Sequence, residues 1–352
     1  MIKYLLSGNI TFAVALCSLG GPAYGADLIP IKISYQPAVY WALPFWVAQE
    51  KGWWEKAGLK PEFSTFPAGV PQMAAAASES WDVGATGSVP AVLGHIRFKV
   101  NTIGISNDES AGNSLVVRAD KAGEYKADPQ RIKGQTIALT TNSTGDYAVQ
   151  SCLKKYGLSK RDVTMKNMGQ AEIMSALSSK NIELAGLWAP NTYTVQEKIN
   201  AAVLCSGKEG GAMVPGAIVA RHAYAQENPD KVARFLAVYL GTWKWLNAHR
   251  PEAIQLMKRF YDQGGVSVSD ASMNKEFDTR KTYNVDEQIQ IMDRSQGASD
   301  VDGWFNDLAA FLKDSGTLRA VPEPKEYIDD KYMKIVRDNP ELKAISDNID
   351  GH

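Results

Sequence analysis

Two short stretches of this chain place small polar residues and glycine where backbone amides become available: Thr141-Asn142-Ser143-Thr144-Gly145-Asp146 and Thr86-Gly87-Ser88-Val89-Pro90. The first follows the β-rich run Thr136-Ile137-Ala138-Leu139 and leads into an amphipathic stretch, so it reads as strand, turn and helix N-terminus. The first amides of a helix have no intrahelical acceptor and carry the positive end of the helix dipole, which suits an anion. The second stretch repeats this order, with Ser88 placed to cap and Pro90 tolerated in the first turn, where its missing N–H is not needed. Facing each other across a cleft, the two corners would hold one tetrahedral or planar anion without a lysine. Each terminus would contribute roughly 0.3–1 kcal/mol, and up to about 2 kcal/mol when partly buried. Taken alone, the first corner is equally a capping box with Asp146 in place of glutamate. Neither corner ends in the Gly-Lys-Ser/Thr of a nucleotide phosphate loop.

Such corners need a frame that brings them together. From Ile31 onward short β-rich runs alternate with helical ones: strand 31–35, helix 44–57, a strand around Phe63, an Ala-rich helix over 70–81, strand 82–85, helix 89–98 and strand 100–106. That βαβαβ order predicts a mostly parallel sheet with ligands at the carboxyl ends of its strands. The order recurs over 136–205. The look-alike segments 115–120 and 217–222 are expected to run side by side as crossover strands between two lobes. The division expected is a first lobe from 30–117 and 216–330, a second lobe from 120–215, and a charged, peripheral tail over 333–352. Val232, Phe235, Leu236, Tyr239, Leu240, Trp243 and Leu246 recur at helical spacing and read as core. Trp53 and Trp54 read as packing residues. Trp41 and Trp188, from the aromatic cluster of Tyr35, Tyr40, Trp41 and Trp46 and from its counterpart in the second unit, are placed at the mouth of the cleft.

The bulk properties narrow the functions. The chain has 352 residues, 45% of them hydrophobic, which suffices for two medium cores. Its 38 basic and 39 acidic residues are spread without long blocks, so no polyelectrolyte surface for nucleic acid is expected. Residues 1–25, with Lys3, an apolar stretch to about Leu19 and Ala23-Tyr24-Gly25, read as a secretory signal peptide. Cys17 leaves with that peptide, and its context does not favour lipid attachment. Cys152 and Cys205 remain, as a pair or as buried thiols. His95, His222, His249 and His352 show no ligand spacing, so neither a metal nor a cofactor is expected. There is no G-x-S-x-G elbow, H-E-x-x-H or G-x-G-x-x-G, and an enzyme is the lesser expectation.

The order of several pieces resembles the periplasmic solute-binding proteins of nitrate, sulfonate and taurine ABC importers, over about residues 31–330. The pieces are Ile33-Ser34-Tyr35-Gln36, Ala48-Gln49-Glu50-Lys51-Gly52-Trp53-Trp54, Thr86-Gly87-Ser88-Val89-Pro90, Asn113-Ser114-Leu115-Val116-Val117, Ser143-Thr144-Gly145-Asp146-Tyr147 and Leu187-Trp188-Ala189-Pro190. None is specific alone; their order and spacing are. The taurine-binding branch is the most similar, whereas the cysteine-rich motif of the thiamine-precursor branch is absent. The resemblance implies an α/β, two-lobed periplasmic binding protein fold of type II, with mixed sheets, helices on both faces and a cleft between the lobes. It implies a monomeric periplasmic protein that delivers a small organic anion to a membrane permease. Carried over by position, Gln36, Gly87, Ser88, Asn113, Ser143, Thr144 and Trp188 become ligand contacts, and Trp41 joins them from the aromatic cluster. One departure is the long aromatic segment Pro37-Ala38-Val39-Tyr40-Trp41-Ala42-Leu43-Pro44, which has no acid to meet a ligand amine. Asp108 or Glu109 would supply that charge, while a bulkier aromatic sulfonate or carboxylate fits as well.

Overall fold

The computed structural model describes residues 28–37 and 39–351, and for Val39 and Tyr40 only the backbone. The expected signal peptide, Cys17, His352 and the side chain of Tyr40 lie outside what is described. Ten strands form two five-stranded sheets. They are β1 (Ile29–Tyr35), β2 (Leu59–Thr65), β3 (Val83–Gly87), β4 (Val100–Asp108), β5 (Ser114–Val117), β6 (Thr136–Leu139), β7 (Thr164–Asn167), β8 (Leu184–Leu187), β9 (Ala202–Ser206) and β10 (Pro215–Arg221). The first sheet runs β2-β1-β3-β10-β4 and the second β7-β6-β8-β5-β9. In each, parallel strands joined by helical crossovers sit beside one antiparallel insertion: β10 pairs with β3 and β4, and β5 with β8 and β9. The fold is the expected two-lobed α/β one with mixed sheets and helices packed on them.

The twin segments are not paired crossovers, however. The expectation rested on their likeness, and that likeness is real, because each is the antiparallel strand wedged into the sheet of a different lobe. Residues 114–117 therefore belong to the second sheet, not to the first lobe. The chain crosses instead through the short stretches just before β5 and just before β10. Those two run together: Glu109 N–H donates to the Val214 carbonyl at 2.8 Å, Lys208 N–H to the Ser110 carbonyl at 2.8 Å, and Gly207 N–H to the Asn113 carbonyl at 2.9 Å.

The core of the first lobe follows from the helical stripe. In the helix Pro229–Ala248 all seven stripe residues are buried, and Trp53 and Trp54 are buried against the same cluster. Phe45 lies 5.3 Å from Tyr239 and 5.6 Å from Phe235, and Trp54 stacks on Phe235 at 6.1 Å. Each such side chain contributes about 1.5–3 kcal/mol on burial. The tail corrects a second expectation. Lys331–Asp338 and Pro340–Asp347 are helices whose Tyr332, Met333, Val336, Leu342 and Ile345 are completely buried on this core. Their charges occupy the outer face, which is why the segment reads as peripheral while its apolar residues recur three and four apart.

In the second lobe Cys152 and Cys205 form a disulfide, Cα to Cα 5.8 Å, that ties the helix Thr144–Lys155 to β9. Among the described residues no helix is long and apolar enough to cross a membrane.

Candidate ligand-binding site

Four of the chain corners that meet between the lobes carry candidate residues, each at the carboxyl end of a parallel strand. In the first lobe β1 leads through Gln36 to Trp41 in the helix Val39–Glu50, and β3 leads through Gly87 to the helix Ser88–Phe98. In the second, β6 leads through Thr140 to the helix Thr144–Lys155, and β8 leads through Trp188 to the helix Asn191–Ile199. Crevices outside strand carboxyl ends are where open α/β sheets hold ligands.

The two small-residue corners touch. A Cβ added to Gly87 would lie 2.6 Å from Thr144 Cγ2, so glycine is what allows the termini to abut across the cleft. In the second corner Asn142 takes a left-handed conformation (φ 56°) that asparagine tolerates. Ser143 caps the helix, its Oγ accepting from the Asp146 amide at 3.2 Å. Asp146 does not complete a capping box on Ser143; its carboxylate accepts from the Asn142 amide at 3.0 Å and from Gln150 Nε2 at 2.7 Å. Burial raises the Asp146 carboxyl above the ordinary range, against these two donors. The amides of Thr144 and Gly145 are thus left at the helix start without an intrahelical acceptor. At the opposite corner Ser88 is buried, and among the described residues no atom bonds its hydroxyl.

These elements enclose a chamber of 240 Å³ lined by Gln36, Trp41, Gly87, Ser143, Thr144 and Trp188, with Pro90, Asn167 and residues 68–71 and 140–142 completing it. It continues between Trp41 and Trp188 into an outer chamber of 370 Å³ reaching Gln170 and Asn191. Together they fall within the size range of small-molecule sites. Gln36 is held from beneath, its Nε2 donating to Thr86 Oγ1 at 2.7 Å and to Gln72 Oε1 at 2.5 Å. The backbone after Trp188 is pinned by Ala189 N–H donating to the Gly112 carbonyl at 3.0 Å, and the Ala189–Pro190 peptide is cis. A larger groove of 680 Å³ lies on the other side of the helix Thr144–Lys155, but Lys154, Lys160 and Arg161 there oppose Asp307 and Asp314, and no strand corner faces it.

Six of the ten candidate residues therefore line one chamber. Ser88 lies buried beside it, and Asn113 and Glu109 lie beneath it. Glu109 is 1% exposed and its oxygens are taken by protein donors from both lobes: Trp41 Nε1 at 3.0 Å, Asn113 Nδ2 at 3.1 Å and Thr144 Oγ1 at 3.2 Å. Burial pushes its carboxyl up to about 7, against the opposing pull of Arg280 and of these donors. Asp108 turns away and accepts from the Ser110 amide at 2.8 Å. Neither acid lines either chamber, so neither meets a ligand amine in this geometry. Residues 68–71 and Asn167 are lining positions that the sequence reading missed. The first had a signal, since Pro67-Ala68-Gly69 follows β2 as another strand-turn-helix corner; Asn167 at the end of β7 had none.

A clamp of two α/β lobes, with helix starts from each lobe abutting on an aromatic-walled chamber, defines the architecture of a two-lobed solute-binding protein. The chain belongs to the NMT1/THI5-like family, whose profile matches residues 42–253, more than half of it. A Bacillus subtilis (strain 168) protein provisionally named for binding aliphatic sulfonates is 29% identical over 275 residues, 76% of this chain and 80% of its own length. The taurine-binding periplasmic protein of Escherichia coli (strain K12) is 24% identical, covering 91% of this chain and 97% of its own. Among solved structures, the alkanesulfonate-binding protein SsuA from Xanthomonas axonopodis pv. citri bound to MOPS superposes with a TM-score of 0.69 at 18% identity. It covers 87% of this chain and 99% of its own.

Proposed function

We propose that the protein is the solute-capturing component of an ABC importer, acts as an exported monomer, and binds a small organic anion, a sulfonate such as taurine or an alkanesulfonate, between its lobes. The observation that carries this reading is the contact of Gly87 with Thr144, which aims two helix starts from different lobes at one chamber. Ser143, Thr144, Gly87 and Ser88 hold the head group, Trp41 and Trp188 flank the organic part, and Gln36 and Asn113 support the floor. The names of the Bacillus subtilis and Escherichia coli relatives agree with a sulfonate. A second reading, an aromatic carboxylate, is favoured by the outer chamber between the two tryptophans, which is larger than an alkyl tail needs.

Capture without turnover is expected. Isothermal titration against ethanesulfonate, longer alkanesulfonates, benzenesulfonate and benzoate should give one site per chain for a sulfonate. Mass spectrometry of the recovered ligand should show it unchanged. A chemically altered ligand would make the protein an enzyme, and preference for benzoate over every sulfonate would move the assignment to carboxylates.

A further inference from the structure

Beneath the cleft lies a group of charges that the capture of an anion does not by itself explain. Glu109, Glu276 and Arg280 are all at least nine-tenths buried, so two carboxylates share one guanidinium. Arg280 Nε pairs with Glu276 Oε2 at 3.1 Å, and Arg280 Nη2 donates to the Ala189 carbonyl at 3.1 Å, just beyond Trp188. Glu109 is the carboxylate on the cleft side of this group, and Thr144, which donates its hydroxyl to Glu109, also carries one of the amides aimed at the ligand. Tyr239 on the helix Pro229–Ala248 and Arg280 at the end of the helix Asp270–Thr279 are the titratable groups on the other sides of Glu109, with neutral Trp41, Asn113 and Thr144 bonded to it and Gly216 packed close to its Oε1.

An anion seated at Thr144 and an ionised Glu109 would be two negative charges separated by about one residue, in a place where water does not screen them. A ligand ammonium does not relieve this in the present geometry, because Glu109 is buried, lines neither chamber and already accepts from three protein donors. A proton on Glu109 does relieve it. We propose that Glu109 is protonated in the ligand-bound clamp, so that the cleft selects a simple organic anion without an ammonium group and takes up one proton with it. This rests on the sulfonate reading above and narrows it. Glu109 is here a positioning residue: it links Trp41 of one lobe to Thr144 of the other and sets the charge that the chamber accepts. The raised carboxyl, near 7 in this structure, puts the exchange within reach of ordinary pH.

The test uses the whole protein with two probes of similar size, ethanesulfonate and taurine, which differ by the ammonium group. Calorimetric titrations between pH 6 and pH 9, each in two buffers of different ionisation enthalpy, count the protons taken up. Ethanesulfonate is expected to bind with uptake of about one proton above pH 7.5 and to weaken about tenfold per pH unit there. Glu109→Gln is expected to bind it with no proton exchanged and little pH dependence, and taurine to bind no tighter than ethanesulfonate. If that variant does not fold, the wild-type proton count still decides, and the indole N–H resonance of Trp41, bonded to Glu109, follows the same titration. Binding of ethanesulfonate without proton uptake, or taurine binding tenfold tighter than ethanesulfonate, overturns the inference and leaves the sulfonate reading intact. Failure of both probes, and of the longer alkanesulfonates and benzenesulfonate, to bind at 10 mM, a concentration well above roughly micromolar capture, overturns the sulfonate reading and the inference with it.

Discussion

Thr144 serves both lobes through different atoms, and substitutions separate its contributions. Thr144→Pro removes the amide yet suits the first helical position, and should weaken anion binding about ten- to a hundredfold, the loss of one hydrogen bond to a charged group. Thr144→Val keeps the amide and loses only the hydroxyl that reaches Glu109, so titration calorimetry on the two distinguishes backbone from side-chain recognition. Thermal melts of both check that the helix start is intact. Gly87→Ala places a methyl group against Thr144 Cγ2 and should oppose closure; adding Thr144→Ser, which deletes that methyl, should restore much of the affinity. Glu109 gives a prediction in pH. Its carboxyl titrates near 7 in the fold against an ordinary 4.5, so between those values the folded form binds more protons than the unfolded chain. Stability should therefore be highest at the low end of this window and fall as pH rises through it, by an amount of order 3 kcal/mol. Chemical denaturation from pH 5 to pH 7.5 measures the slope. Glu109→Gln should reduce it, while Glu276, also raised by burial, contributes a slope of the same sign. Both corners were legible in the sequence because helix starts depend on local residue types. The Glu109, Glu276 and Arg280 group was not, since its members lie far apart along the chain and only the packing of the lobes assembles them.

Among elements, the helix Thr144–Lys155 is anchored at both ends of its function: its start faces the chamber, and Cys152 in its last turns is bonded to β9. The bridge spans 53 residues, for which the chain-entropy estimate is about 4 kcal/mol and the usual range 2–4 kcal/mol. Cys152→Ala with Cys205→Ala should lower the stability of the second lobe by that much, seen as an earlier transition in denaturant. Strand and helix order were readable from alternation, but strand neighbours were not. β5 and β10 carry the same apolar pattern as paired crossovers would, and nothing local states that each runs antiparallel within its own sheet. The last two helices escaped for another reason, since their average composition is charged and only residue spacing reveals the buried stripe. Ending the chain after residue 330 should expose the core around Tyr239 and Trp243, and loss of cooperative unfolding would be the sign.

At the scale of the whole molecule, the bonded pair of crossing stretches around Ser110 and Val214 is the hinge expected for movement of the two lobes. Closure on a ligand is expected to bury Trp188 further, as hinged clamps do, and to bring the ligand against Trp41, which is already only 4% exposed. Intrinsic fluorescence should change on binding, while Trp53, Trp54 and Trp81, already buried, supply a constant background. If Trp41→Phe and Trp188→Phe each keep both the affinity and the fluorescence change, neither tryptophan lines the site.

The sheet orders also decide when each lobe can be completed as the chain is made. The second sheet is finished once β9 ends at Ser206, because its wedge strand β5 has already emerged. The first sheet begins earlier but stays split: β4 reaches β3 only through β10, which ends at Arg221. The lobe synthesised first is thus the last to close, and until then the inner edges of β3 and β4 are unpaired sheet edges, the kind of surface that invites association between chains.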